Sequence, residues 1–140
     1  MPNTLKKAER LDRKKVIGKM FAGGAEARSF TVFPLRVVCL TEPELMSQAS
    51  VLISVSKRYF KHAVDRNRVK RQIREAYRLQ KEPFLLALAQ QDVKMAVAFI
   101  YLTDELLPTG FIQKRMRIAL EKMVEKLTTG KTEVHEEVAE

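Results

Sequence analysis

A single cysteine, Cys39, occurs in these 140 residues, so no disulfide can close within the chain. It sits in the apolar run Val37-Val38-Cys39-Leu40, where a buried, inert thiol in a reducing cytoplasm is expected. Long hydrophobic runs are lacking as well. Nothing approaches the roughly 18 apolar residues needed to span a bilayer. The apolar stretch near the basic N-terminus breaks at Gly18 and Lys19 before a secretory core could form. No membrane partner and a cytoplasmic location are therefore expected. Histidine is scarce, with only His62 and His135, and neither has a second His, Cys or carboxylate at metal-ligand spacing. There is no nucleophile elbow, no glycine loop to cradle phosphate and no acidic cluster able to hold two metal ions for phosphodiester cleavage. Asp65 and Glu75 stand ten residues apart among cations, which suits salt bridging or capping better than acid–base chemistry. No catalytic side chain and no metal or cofactor held by the protein alone is expected.

What the chain has in excess is positive charge. Twenty-six Lys and Arg face seventeen Asp and Glu, a formal net charge of +9 with a pI near 9.8. That balance favours a polyanion: nucleic acid, an anionic membrane surface or an acidic protein. The distribution is uneven. Residues 57–81 hold ten cations against Asp65 and Glu75, and the first twenty hold seven against Glu9 and Asp12. The stretch 131–140 reverses the sign, with one Lys and four Glu.

Length and a hydrophobic content of 46% suit one domain, placed over residues 1–128, with an acidic, flexible tail over 129–140. Ala8–Phe21 reads as an amphipathic helix stopped by Gly23-Gly24. Arg28–Leu40 reads as a strand in which Pro34 marks a bulge or an edge, with a further strand conceivable at Leu35–Leu40. Thr41–Ala49 reads as a polar connection and Ser50–Ser56 as a strand. A long basic helix follows, broken or kinked at Pro83, with Phe84–Gln91 continuing it or forming a second piece. Val93–Leu102 reads as a buried strand, and Ile112 to Leu127 as a last amphipathic helix ended by Gly130. The order, α-β-β-β-α-β-α, alternates too irregularly for a doubly wound nucleotide fold. An α+β chain, a small two-layer α/β sandwich, is the better match.

The basic helix can be phased. Taking Arg66 as zero and advancing 100° per residue, Val69, Ile73, Ala76 and Tyr77 fall between about 280° and 20°, a core face. Lys70, Arg74, Asn67, Arg78 and Arg71 fall between about 40° and 140°. Like charges at i, i+4 and i+8 (Lys70, Arg74, Arg78) destabilise a helix unless something neutralises them. Guanidinium forks suit phosphates, so this flank reads as a polyanion stripe rather than a solvated face.

The same residues carry a pattern. Ser54-Val55-Ser56-Lys57-Arg58, followed by Ala63-Val64-Asp65-Arg66-Asn67-Arg68-Val69-Lys70-Arg71-Gln72-Ile73-Arg74-Glu75, closely resembles the Arg-Asn-Arg motif of the bacterial ribonuclease P protein component. The resemblance extends over residues 5–128. It implies a ribosomal protein S5 domain 2-like sandwich with a left-handed βαβ crossover. It further implies two partners, a catalytic RNA and the 5′ leader of precursor tRNA. That RNA, with Mg²⁺ bound through it, would remove the leader by hydrolysis. On this resemblance Lys57, Arg58, Lys61, Arg66, Asn67, Arg68, Lys70, Arg71 and Arg74 face RNA. The leader would lie in a cleft between the sheet and the basic helix, with Ile17, Phe21, Thr31 and Phe33 as its candidates, and Phe30 and Val32 turned to the core. The chain departs from the family where Ile17 replaces a frequent Phe. It departs again at Tyr59-Phe60-Lys61-His62, which stands in for a Gly-containing turn and an Asn, with His62 left to cap the helix. Phe84–Gln91 is an insertion to which the sequence assigns no role. A ribosomal-protein-like structural RNA binder and a self-sufficient metal-dependent nuclease are the alternative readings.

Overall fold

The computed structural model describes residues 27–42, 45 and 48–128. The expected helix over Ala8–Phe21, the Gly23-Gly24 stop, Ile17, Phe21, and the tail over 129–140 with Gly130 and His135 lie outside the described residues. In chain order the elements are β1 (Ala27–Val32), β2 (Leu35–Thr41), β3 (Ala49–Ser54), α1 (Ala63–Gln80), α2 (Glu82–Gln91), β4 (Met95–Tyr101) and α3 (Thr109–Thr128). The strands form one sheet in the order β1-β2-β4-β3. The chain is thus α+β, a four-stranded sheet with three helices among the described residues.

The strand expected over Arg28–Leu40 is two strands, an antiparallel hairpin with Val32 opposite Leu35. Pro34 marks neither bulge nor edge. It occupies the turn, after a cis Phe33–Pro34 bond, where a fixed φ is useful and a missing N–H is harmless. Its carbonyl accepts the Leu102 N–H at 2.8 Å, tying the turn to the end of β4.

Pleat alternation sorts the sheet residues to two faces. Phe30, Val32, Leu35, Val37, Val97, Phe99 and Tyr101 join the core built with all three helices. In it the Tyr77 ring of α1 lies 5.9 Å from that of Phe99. The other face carries a smaller cluster of Val38, Leu40, Leu45, Ala96 and Ala98. Leu45 comes from the connection expected to be polar. It is buried there, with Lys94 Nζ donating to its carbonyl at 2.9 Å.

Strands β3 and β4 pair in parallel, as they can because α1 and α2 carry the chain back between them. Helix α1 ends at Gln80, and Pro83 falls within the first two positions of α2, where its missing N–H would have had no helical partner. The left-handed conformation of Asp92 closes α2. The segment Phe84–Gln91 thereby gains a role: Phe84 and Leu88 are buried in the main core.

Candidate nucleic-acid interface

The register aligns the strand ends. Val32 pairs with Leu35, Leu35 with Tyr101, and Ser54 with Ile100. The C-terminal ends of β1, β3 and β4 therefore meet at one end of the sheet. From that end leave the turn carrying Phe33, the loop 55–62 and the connection 102–108. The loop is pinned from within. Phe60 is buried with its ring 6.0 Å from Tyr101, and the Ser56 carbonyl accepts the N–H groups of Tyr59 and Phe60 at 3.1 and 3.2 Å. Lys57, Arg58 and Lys61 are left exposed, with the Arg58 guanidinium 6.0 Å from the centre of the Tyr59 ring.

Helix α1 starts differently from expectation. His62 holds the N-cap position in an extended conformation, φ −91° and ψ 132°, but its side chain makes no capping hydrogen bond. Imidazole is longer than the Asn or Ser side chains that fold back onto the first turn. Arg66 braces the entry instead. Its Nη1 donates to the Phe60 carbonyl at 2.8 Å and the Lys61 carbonyl at 3.0 Å. Asp65 in the first turn complements the helix dipole.

The helical phasing holds along α1. Val69, Ile73, Ala76 and Tyr77 are buried, and so is Gln72, which was not anticipated. Gln72 Nε2 donates to the Leu107 carbonyl at 3.1 Å and to Thr109 Oγ1 at 3.0 Å, docking α1 on the start of α3. Its wheel angle of about 240° adjoins the core face, which was the available signal. On the opposite flank Asn67 and Arg71 are exposed, with Lys70 and Arg74 half-buried beside them. Arg78, expected to extend the stripe, is paired with Glu75: Nε donates to Oε1 at 3.2 Å, and Nη2 bonds Oε2. That hydrogen bonding holds the Glu75 carboxyl below the ordinary carboxylate range and raises Arg78. Lys81, at the end of the basic block, is buried.

The motif residues therefore divide. Arg66 turns back onto the entry loop. Asn67, Lys70, Arg71 and Arg74 share the open flank. Arg68 falls about 200° round the wheel, on the side facing the 102–108 connection. There Tyr101 donates its hydroxyl to the Glu105 carbonyl at 2.8 Å. Burial raises the Tyr101 pKa, Glu105 adds to the rise, and Arg68 opposes it.

Of the leader-cleft candidates, Phe33 stands in the turn, 43% exposed, and Thr31 is exposed on β1. Phe30 and Val32 are buried on the other side of that strand, as alternation required. Helix α1 packs on the sheet face that bears Phe30 and Val32, so Thr31 occupies the opposite face. Alternation separates two faces but does not say which one a helix will cover.

Cys39 is buried and free. Burial pushes its thiol up to about 11, against the opposing pull of Arg28 and Lys126. Among the described residues no three His, Cys, Asp or Glu side chains come together as metal ligands. No described helix is long and apolar enough to cross a membrane.

Known proteins match this arrangement in sequence and in fold. The ribonuclease P family model matches residues 5–127. The ribonuclease P protein component of Porphyromonas gingivalis W83 is 38% identical over 117 residues, covering 83% of each chain. That of Chlorobaculum tepidum is 34% identical over 108 residues, 71% of this chain and 68% of the other. The Staphylococcus aureus RNase P protein superposes with a TM-score of 0.64 over 84% of this chain and 96% of its own, at 21% identity, a likeness of fold. With the family model spanning nearly the whole chain and relatives matched over most of their length, this chain belongs to the ribonuclease P protein component family.

Proposed function

We propose that this chain is the protein subunit of ribonuclease P that binds the catalytic RNA and the 5′ leader of precursor tRNA, promoting Mg²⁺-dependent hydrolytic removal of the leader. The observation that carries the reading is the division of α1 into a buried flank and an open flank bearing Asn67, Lys70, Arg71 and Arg74. Three cations within two turns lower the cost of bringing RNA phosphates together. Lys57, Arg58 and Lys61 extend the same field past the helix N-terminus. Arg66 serves this surface by fixing the loop to the helix, and Arg68 addresses RNA from the neighbouring side. Thr31 and Phe33, with Ile17 and Phe21, would meet the leader, whose varied bases suit contacts that stack rather than read sequence.

Bond cleavage is assigned to the RNA partner. In this reading Mg²⁺ is bound through that RNA. The protein's part is binding and orientation: it offsets phosphate charge and holds the leader extended.

The test is precursor-tRNA cleavage at low Mg²⁺ with protein alone, the catalytic RNA alone, and both. Cleavage is expected with both, well above RNA alone. Cleavage by the protein alone would replace this reading with a self-sufficient nuclease, and failure to stimulate the RNA would leave a structural RNA binder.

A further inference from the structure

We infer that Phe111 and Arg115 of α3, together with Phe33, form a second stacking platform for a single-stranded stretch of RNA, at the border of the α1 interface. The inference rests on the RNA-binding reading above and extends it to residues outside the motif.

Phe111 and Phe33 are large aromatics left open, 37% and 43% exposed. Arg115 links them. Its guanidinium carbon lies 5.9 Å from the centre of the Phe111 ring, and its Nε donates to the Phe33 carbonyl at 2.6 Å. Helical phasing puts Phe111 and Arg115 on one flank of α3, beside the buried positions Ile112, Met116 and Ala119. Next to Phe111, a side chain added at Gly110 would meet nothing within 4 Å, so the first turn of α3 is open at that position. The cluster is continuous with α1, because Gln72 bonds both Leu107 and Thr109 just before Phe111.

An apolar patch alone would suit a second copy of this chain equally well. A guanidinium lying by the open Phe111 ring and bonded to the backbone of Phe33 suits RNA better: the exposed rings offer faces to bases, and the cation answers the phosphate joining them. The fixed Arg115 also loses little freedom on binding, since the Phe33 carbonyl already orients it.

The chain contains no Trp, so Phe111→Trp places a single reporter on the platform. The probes are a ten-nucleotide oligoadenylate and an abasic phosphodiester of the same length. Quenching is expected with the oligoadenylate and not with the abasic chain. Phe111→Ala should weaken oligoadenylate binding about five- to tenfold and leave the abasic chain within about twofold, while Phe111→Tyr restores binding. If Phe111→Ala or the Trp reporter leaves both probes indistinguishable while Lys70→Ala/Arg74→Ala weakens both, the platform is overturned and the α1 interface stands. If the α1 variant also changes nothing, the underlying RNA-binding reading fails with it. Should Phe111→Ala not fold, the Trp reporter decides alone. Quenching that follows protein concentration without RNA would assign the patch to self-association and overturn the inference.

Discussion

Replacing Lys70, Arg71 and Arg74 together by Ala should flatten the salt dependence of binding to the catalytic RNA. These three cations share the open flank of α1, and among the described residues none of them has a carboxylate partner such as Glu75 provides for Arg78. Each phosphate neutralised contributes about 0.7 to 0.9 to the slope of log affinity against log salt, so three lost contacts lower the slope by about 2 to 3. Between roughly 50 and 200 mM salt the gap between parent and variant should then narrow by about 20- to 40-fold. Fluorescence anisotropy with labelled catalytic RNA over that range measures it. Arg66→Ala is the internal contrast. Its Nη1 is already engaged by two carbonyls, so its loss should cost about 1–2 kcal/mol of stability and lower Tm by about 3–8 °C, with the slope changed by less than one unit. Parallel salt plots for parent and triple variant would refute the assignment of phosphates to this flank. A triple variant that melts like Arg66→Ala would show these residues to be structural.

Three further outcomes are expected. Phe33→Ala should weaken binding of leader-bearing precursor more than of mature tRNA without lowering Tm, because nearly half its surface is open; equal losses for both RNAs would remove it from leader contact. Ile73→Ala, in the centre of the buried flank, should cost about 2–5 kcal/mol in chemical denaturation while the remaining folded protein keeps its salt slope. The Cys39 thiol keeps its proton in the folded state up to about pH 11, whereas in the unfolded chain it ionises near its ordinary value. The unfolded state thus binds fewer protons as pH rises between these values, so stability falls over pH 9 to 11. Denaturation curves of parent and Cys39→Ala should diverge in slope across that window, and parallel curves would show that the thiol ionises alike in both states.

The parts legible in the sequence were those governed by a local period. An 18-residue helix repeats its pattern five times, so the buried and charged flanks of α1 could be phased before any fold was known. Alternation likewise sent Phe30 and Val32 inward. What escaped depends on encounters distant in sequence or on a local choice with several outcomes. Pro34 is compatible with bulge, edge or turn, and only the return of β2 along β1 selects the turn. Arg66 looks like its neighbours on a wheel, because angle says nothing about carbonyls presented by the preceding loop. Gln72 is polar and was left out of the core face, yet the start of α3, some 35 residues on, supplies the acceptors for its amide N–H groups. Phe111 and Arg115 belong to a helix read only for its apolar stripe, and their significance depends on the distant Phe33 carbonyl.

The parallel pairing of β3 with β4 has a consequence for how this surface comes into being. Ala49 meets Met95, so the whole cationic block lies inside a loop that the sheet must close before any of it is held in place. Loop closure of that length carries an entropic cost that only the completed β4 contacts repay. Mutual repulsion along α1 opposes the same closure. A polyanion that removes the repulsion therefore acts on assembly of the domain as well as on its occupancy, and RNA should speed or stabilise folding by mass action. By the same reasoning a peptide cut to the motif alone would keep its charges and lose their arrangement, because the scaffold that orders them lies on both sides of it in sequence.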